Sequence, residues 1–485
     1  MTRSLARHPL DLFEGRKACP REGGEDYGVP GAAKNTGYGA CANNDRQRVS
    51  RGMTTASARD RLDAALARID DLSGEGMRAC LTVYREPARA AAEAADARAH
   101  AGISLGPLDG TIVSIKDLFD VAGEVTRAGS KVLAEEGKPA AADAPVVRAL
   151  RAGGAVIVAK TNMTEFAFSG VGINPHYGTP GNPADRKRIP GGSTSGGAVA
   201  VADGLCEIAI GSDTGGSLRI PAALCGLVGF KPSRQRISIA GAFPLSQSID
   251  SIGPIARSVA DCAKADAVMA GDEFKPLEPV PLANLRVGIA QGLPLENLDK
   301  TVAKRFPQAI DALERAGARL SNEKLALLDG MARVNSRGGV QPLEAFTLHR
   351  DRLDRRGADI DANVRARLER ARNISAADYI EMVNERAALI AEMDARLSDI
   401  DVLVLPTTPM VAPTIEEMAP PDVFARKNAM LLRNTSIWNF FDCCAISLPL
   451  PRDGGLPVGL MLVVRNGHDH RLLRIAAAVE RLFAA

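Results

Sequence analysis

Leu62, Leu66, Ile69 and Leu72 recur at helical spacing shortly after Thr54, Thr55 and Ser57, three side chains able to cap a helix N-terminus. Folded structure is therefore predicted to begin near Met53. Ahead of it, residues 1–52 hold no period of 2 or 3.6, carry nine Lys/Arg against six Asp/Glu, and are broken by Gly23-Gly24, Pro30-Gly31 and Asn43-Asn44. That pattern predicts a disordered leader, or a start codon assigned too early. An Ala-rich helix is predicted over 87–102, followed by a strand at 111–115 that runs into Lys116-Asp117. A helix over 143–152, with Val146, Val147 and Leu150 on one face, precedes a short apolar run at 155–159. A second helical stretch, 198–202, precedes another such run at 206–210.

Helix and strand alternating in this way predict an α/β layered fold with strands buried on both faces. Between 300 and 399 the pattern turns mostly helical, and 350–372 mixes eight arginines with five acids, as a solvated helical face does. The run 401–405 returns to a strand. The helical section is thus read as an insertion within one domain, 53–485, and neither an internal repeat nor a low-complexity linker interrupts it.

Composition narrows the chemistry. The chain has 485 residues, 46% apolar and 24% charged, with a net charge of +2. It can bury a core, and it offers no net field for gripping nucleic acid. No run approaches the ~18 apolar residues of a membrane-spanning helix, and the N-terminus lacks the apolar core of a secretory signal, so a cytoplasmic protein without membrane contact is expected. Cysteines at 19, 41, 80, 206, 225, 262, 443 and 444 form no C-x-x-C, which fits a reducing compartment. The six histidines form no H-x-x-x-H array, so no metal or other cofactor is expected.

The most unusual text runs from Pro190 to Pro221. One Gly/Ser cluster, 191–197, opens a helix; another, 211–217, follows a buried strand. Such loops can be tight turns or anion cradles. A P-loop needs a lysine after the last glycine, and neither cluster has one. The dinucleotide-like Gly37-Tyr-Gly39-Ala-Cys-Ala42 lies in the irregular leader without a preceding strand.

These clusters occur together with Leu108-Asp-Gly-Thr-Ile-Val-Ser-Ile-Lys116-Asp117, Thr126-Arg-Ala-Gly129-Ser130 and Lys160-Thr-Asn-Met-Thr-Glu-Phe-Ala-Phe168. Further on come Gly229-Phe-Lys-Pro232, Ser248-Ile-Asp-Ser-Ile-Gly-Pro254, Leu405-Pro-Thr-Thr-Pro409 and Gly454-Gly-Leu-Pro-Val-Gly459. With this ordered set the chain resembles the amidase signature family from Met53 onward. The resemblance implies a single α/β domain with a large mixed central sheet flanked by helices. It assigns Ser217 as the acyl-enzyme nucleophile, Ser193 as the bridging serine 24 positions earlier, and Lys116 as the buried base. A lysine can serve as base only when neutral, and burial disfavours its ammonium form. The backbone N–H groups of Thr214, Gly215, Gly216 and Ser217 are the implied oxyanion hole. Asp213 and Arg219 are read as supports of that loop, and Ala167 matches a position near the acyl pocket, hence a substrate-binding candidate. Two departures stand out. Thr126-Arg127 replaces a usual pair of threonines, and the first cluster reads Ser-Thr-Ser-Gly-Gly, so anchoring on Gly196-Gly197 would shift the bridging role to Thr194.

The expected activity is hydrolysis of a small-molecule carboxamide to an acid and ammonia. The alternative is the A subunit of a glutamyl-tRNA amidotransferase, which resembles the chain in the same three residues but passes ammonia to a partner. The remote third reading is a non-catalytic scaffold on the same fold. Ala128-Gly129-Ser130 and Trp438-Asn-Phe-Phe-Asp442 look more like free-standing amidases, and homo-oligomerisation is left open. His468 and His470 are read as a solvated loop, Cys225 and Cys443-Cys444 as buried small hydrophobes, and Trp438 as either pocket lining or packing.

Overall fold

A computed structural model describes residues 56–484; the leader expected over 1–52 lies outside the described residues. The first helix, Ala58–Asp70, is capped by Ser57, whose hydroxyl accepts the Asp60 N–H at 3.0 Å while Asp60 reaches back to the Ser57 N–H. It buries Leu62, Leu66 and Ile69. Leu72, expected on the same stripe, falls beyond the helix end at Asp71 and is 89% exposed. The Ala-rich helix runs Arg85–His100, and Pro145–Ala152 begins on its proline.

The strands are β1 (Cys80–Val83), β2 (Ile112–Lys116), β3 (Val156–Thr161), β4 (Ile208–Asp213), β5 (Val228–Lys231) and β6 (Ser251–Ala256). After them come β7 (Arg286–Ala290), β8 (Arg319–Glu323), β9 (Val402–Pro406), β10 (Cys444–Pro449) and β11 (Gly459–Val464). They form one sheet in the order β1-β3-β2-β4-β6-β5-β10-β11-β9-β7-β8. β3, β2 and β4 are mutually parallel, as are β9, β7 and β8, and antiparallel strands join the two blocks. This is the mixed α/β sheet flanked by helices that the motifs implied. The section 300–399 is mostly helical as expected, and β8 is its one unforeseen strand: Arg-Leu-Ser-Asn-Glu sits on the sheet edge, mostly exposed, so it carries little apolar signal.

Apolar clusters cover both faces of the sheet. The helix Ser195–Ala202 is buried on every side apart from its last residue. A Cβ on Gly196 would sit 2.4 Å from the Ala79 carbonyl oxygen, so only glycine lets this helix lie so close to its neighbours. Trp438 is wholly buried in the core, which assigns it to packing. No helix among the described residues is long and apolar enough to cross a membrane.

β4 pairs in parallel with β2 and antiparallel with β6. In layered α/β proteins, ligands bind outside the carboxyl ends of strands where the order changes. Lys116 ends β2 and Asp213 ends β4.

Candidate active site

Every residue of β2 is buried, so the strand carries Lys116 into the interior at its carboxyl end. Its Nζ donates to Ser193 Oγ at 2.7 Å and to Ser212 Oγ at 3.0 Å. Burial pushes the Lys116 ammonium down to about 7, against the pull of the Asp213 and Asp250 charges. A substantial fraction is therefore neutral at neutral pH. The hydroxyl that meets this amine is that of Ser193; Thr194 Oγ1, the other candidate, has no partner among the described residues.

Ser193 follows a cis Gly192–Ser193 peptide. Its carbonyl accepts the Thr164 N–H at 3.1 Å, and the Gly192 N–H donates to the Gly170 carbonyl at 2.8 Å. The Thr194 N–H donates to the Ser217 carbonyl at 3.3 Å, tying the two Gly/Ser clusters together through their backbones. No hydrogen bond joins the Ser193 and Ser217 hydroxyls among the described residues. Catalytic hydrogen bonds in unliganded enzymes are often long and tighten with substrate. Burial is graded: Lys116 and Ser193 are fully enclosed, whereas Ser217 keeps 4% exposure at the loop surface.

The loop Thr214–Ser217 links β4 to the helix Arg219–Cys225. Its carbonyls are held from outside. The Asp213 carbonyl accepts Ser251 Oγ at 2.9 Å, that of Gly215 accepts Thr435 Oγ1 at 2.6 Å, and that of Gly216 accepts the Ile220 N–H at 2.7 Å. A trans peptide points its N–H opposite its carbonyl, so fixing the Asp213 and Gly216 carbonyls fixes the Thr214 and Ser217 N–H groups. The Gly216 N–H departs from the expected set, because it donates to Asp213 Oδ1 at 2.8 Å. The oxyanion candidates narrow to the N–H groups of Thr214, Gly215 and Ser217.

Gly216 has φ +134°, and a Cβ there would lie 2.2 Å from Thr435 Oγ1 and 2.7 Å from Ile220 Cδ1. Gly216→Ala is expected to shift the loop and lower kcat roughly 10²–10³-fold, the scale of a lost oxyanion donor. Unchanged kcat in steady-state assays would contradict this reading of the loop.

Asp213 and Arg219 form the loop's footing. Asp213 Oδ1 accepts Arg219 Nη2, Asn439 Nδ2 and the Gly216 N–H, each at 2.8 Å, while Oδ2 accepts Arg219 Nε at 3.0 Å and the Leu218 N–H at 3.1 Å. Burial pushes the Asp213 carboxyl up, but the Arg219 guanidinium and Asn439 more than offset this and hold it well below the usual carboxylate range. Both side chains are fully buried. Arg219→Met should destabilise the fold by about 3–5 kcal/mol, since it leaves Asp213 charged and unpaired; a urea midpoint equal to wild type would contradict it.

Several supporting residues were not singled out from sequence. Ser212 is the second acceptor of Lys116. Asp250 accepts Thr214 Oγ1 at 2.5 Å and the Leu245 and Ser246 N–H groups at 2.9 and 3.1 Å. Burial pushes its carboxyl up to about 6. Asp250 lies in the quoted motif 248–254, and Ser212 stands beside Asp213, so both were within reach. Thr435 was not, because only tertiary contact brings the helix Pro421–Phe440 to the loop, and Asn439, though inside the quoted stretch 438–442, gave no sign there of its contact with Asp213.

Ala167 lies in a turn, 164–168, that starts from the Thr164 contact to Ser193. Phe166 and Ala167 both take left-handed φ, +52° and +58°, conformations that persist only where surroundings impose them. The Ala167 side chain is buried. Half-buried Leu432, Gln341 and Ser436 stand beside Gly215, within 3.3–4.0 Å of where a Cβ would sit on it. Arg127, the departure from the family pattern, pairs with buried Asp117 at 3.2 Å and donates to Thr82 Oγ1 at 2.7 Å. Cys225 Sγ donates to the Pro190 carbonyl at 3.3 Å, and burial pushes its thiol well up, which suits a packing role. His470, expected in a loop, lies in the first turn of the helix Asp469–Ala484.

The profile of the family described as Amidase matches residues 60–473. The 2-amino-5-chloromuconic acid deaminase of Comamonas testosteroni is 35% identical over 403 residues, covering 81% of this chain and 86% of that protein. The A subunit of the glutamyl-tRNA(Gln) amidotransferase of Anaeromyxobacter sp. (strain K) is 34% identical over 474 residues, covering 88% and 93%. A crystal structure of an amidase superposes with a TM-score of 0.79 at 33% identity, covering 88% of this chain and 96% of that one. Motifs, sheet and relatives agree: the chain belongs to the amidase family, and is a hydrolase of carbon–nitrogen bonds in amides.

Proposed function

We propose that the chain is a free-standing amidase working through a Ser217–Ser193–Lys116 relay. Ser217 Oγ attacks the carboxamide carbon as its proton passes to Ser193, whose own proton passes to neutral Lys116. The oxyanion is received by the N–H groups of Thr214, Gly215 and Ser217. The relay then returns a proton to the departing nitrogen, ammonia leaves, and an ester joins the acyl group to Ser217. Water, deprotonated through the same relay, attacks that ester; the acid departs and Ser217 regains its proton. The observation that carries this reading is the fully buried 2.7 Å contact from Lys116 Nζ to Ser193 Oγ, with the amine held near 7. Ala167, Leu432, Gln341 and Ser436 supply candidate substrate contacts. Six buried cysteines among the described residues, none bridged, support placement in a reducing cytoplasm.

The amidotransferase reading uses the same three side chains and differs in where ammonia goes. Purified chain alone, given aliphatic, aromatic and amino-acid amides including glutamine, should release ammonia and free acid in equal amounts. Hydrolysis only after addition of a partner protein would favour the amidotransferase reading, and absence of hydrolysis from the whole panel would count against a free-standing amidase.

A further inference from the structure

Arg127 stands where the family pattern has a threonine, and its contacts give it a defined task. Its Nε and Nη2 donate to Asp117 Oδ1 at 3.3 and 3.2 Å, and Nη2 also donates to Thr82 Oγ1 at 2.7 Å. The guanidinium carbon lies 5.9 Å from the Tyr177 ring centroid. Asp117 is fully buried and directly follows Lys116 in the chain. Burial pushes its carboxyl up, and the Arg127 charge is the largest influence opposing that. Lys160, the other cation acting on Asp117, is paired with Glu124 at 3.4 Å. Arg127 is thus the ion-pair partner of a buried acid next to the base of the relay.

The second carboxylate oxygen of Asp117 and its carbonyl hold the turn that follows Arg127. Oδ2 accepts the Gly129 N–H at 3.3 Å, and the main-chain oxygen accepts the Ala128 N–H at 2.9 Å. That turn is bonded in its own right to the one that carries Ala167. The Ala128 carbonyl accepts the Phe166 N–H at 2.9 Å, and Asn174 Nδ2 donates to the Gly129 and Met163 carbonyls, each at 2.8 Å. A Cβ on Gly129 would stand 2.8 Å from the Met163 carbonyl oxygen, so the two turns touch. The Thr164 N–H then donates to the Ser193 carbonyl at 3.1 Å, and Ser193 Oγ accepts Lys116 Nζ at 2.7 Å. These contacts close a ring that starts and ends at Lys116.

A ring of this kind fixes a distance only where each member is held. Ala128, Phe166 and Ala167 all take left-handed φ, +47°, +52° and +58°, and non-glycine residues keep such angles only under constraint from their surroundings. For Ala128 the constraint comes from its two neighbours, Arg127 and Gly129, both tied to the Asp117 carboxylate. Without the guanidinium, burial drives that carboxyl further up, and a protonated acid accepts the Gly129 N–H more weakly. We propose that Arg127 is a positioning residue: paired with Asp117, it holds the turn 126–130, and through it the turn 164–168 and the backbone of Ser193, where Ser193 Oγ meets Lys116. This rests on the relay proposed above. Arg127 directs its donors at Asp117 and Thr82 and bonds neither relay side chain, so its effect falls on kcat rather than on substrate affinity.

Steady-state kinetics on the aliphatic or aromatic amide that wild type hydrolyses fastest, with folding checked by near-UV circular dichroism, test this. Arg127→Met is expected to lower kcat roughly ten- to hundredfold with KM within about twofold of wild type, the scale of a displacement of about 1 Å in a reacting pair. Arg127→Lys keeps a cation for Asp117 and should recover part of that kcat. Where Arg127→Met does not fold, Asp117→Asn takes its place: it keeps a side-chain oxygen for the Gly129 N–H, removes the charge that Arg127 pairs with, and is expected to lower kcat at unchanged KM in the same way. Wild-type kcat in either folded variant, a loss confined to KM, or an Arg127→Lys enzyme as slow as Arg127→Met would overturn the positioning role. Such a result beside a kcat that collapses in Lys116→Met would leave the relay standing, whereas a kcat unmoved by Lys116→Met would remove the relay itself.

Discussion

Ser217→Ala is expected to abolish measurable amide turnover, lowering kcat by roughly 10⁴–10⁶-fold, the scale expected when a serine hydrolase loses its nucleophile. The alternatives within the site are poor. Burial pushes the Cys225 thiol far above its ordinary range and the Pro190 carbonyl holds it. Ser193 is fully enclosed behind the loop and already bonded to Lys116. The substitution removes one hydroxyl at the end of a loop whose carbonyls are fixed by other residues, so the unfolding midpoint should match wild type. Ammonia release above about one percent of wild type, in protein free of wild-type carry-over, would contradict the assignment.

Lys116→Met is expected to lower kcat by about 10²–10⁴, the contribution of a positioned general base, and to change the pH profile. The sign follows from the amine's position near 7. Below that pH Lys116 gains a proton and can accept none from Ser193, so kcat/KM falls toward tenfold per pH unit; above it the rate levels off. Asp250, pushed up to about 6, gains a proton further down and so removes a negative charge that favours the ammonium form of Lys116, which flattens the acid limb below about pH 6. Residual activity in Lys116→Met should lack the inflection near 7. Because the methionine fills much of the same buried volume, folding is expected to survive. A wild-type profile flat from pH 5 to 8 would contradict a lysine base.

How much of this was legible in the sequence depended on how local the signal was. The helix at Ala58–Asp70 announced itself by cap and period together, and the strands bearing Lys116 and Asp213 by short apolar runs between helical stretches. β8 left no such trace because an exposed edge strand need not be apolar. Lys116, Ser193 and Ser217 sit in dense motifs; the family resemblance implied Ser193 rather than Thr194 through its 24-residue spacing, and Ser193 is the one of the two that contacts Lys116. The Gly216 N–H escapes sequence reading because a run of glycines shows that a loop can turn its donors outward without showing which ones do. Here Asp213 takes one of them. Thr435, Gln341 and Leu432 could not be found from sequence, since they reach the site from helices far along the chain, and Asn439 stood in a singled-out stretch whose contact with Asp213 only the fold reveals.

Everything in this mechanism turns on an ester of Ser217 lying on the reaction path. Rapid acid quench of wild type during turnover of a primary amide, followed by intact-mass and peptide analysis, reads it directly. A single adduct with the mass of the acyl group, on the peptide containing Ser217 and absent from Ser217→Ala, is the predicted result. Turnover without any adduct, or an adduct on another residue, would contradict it.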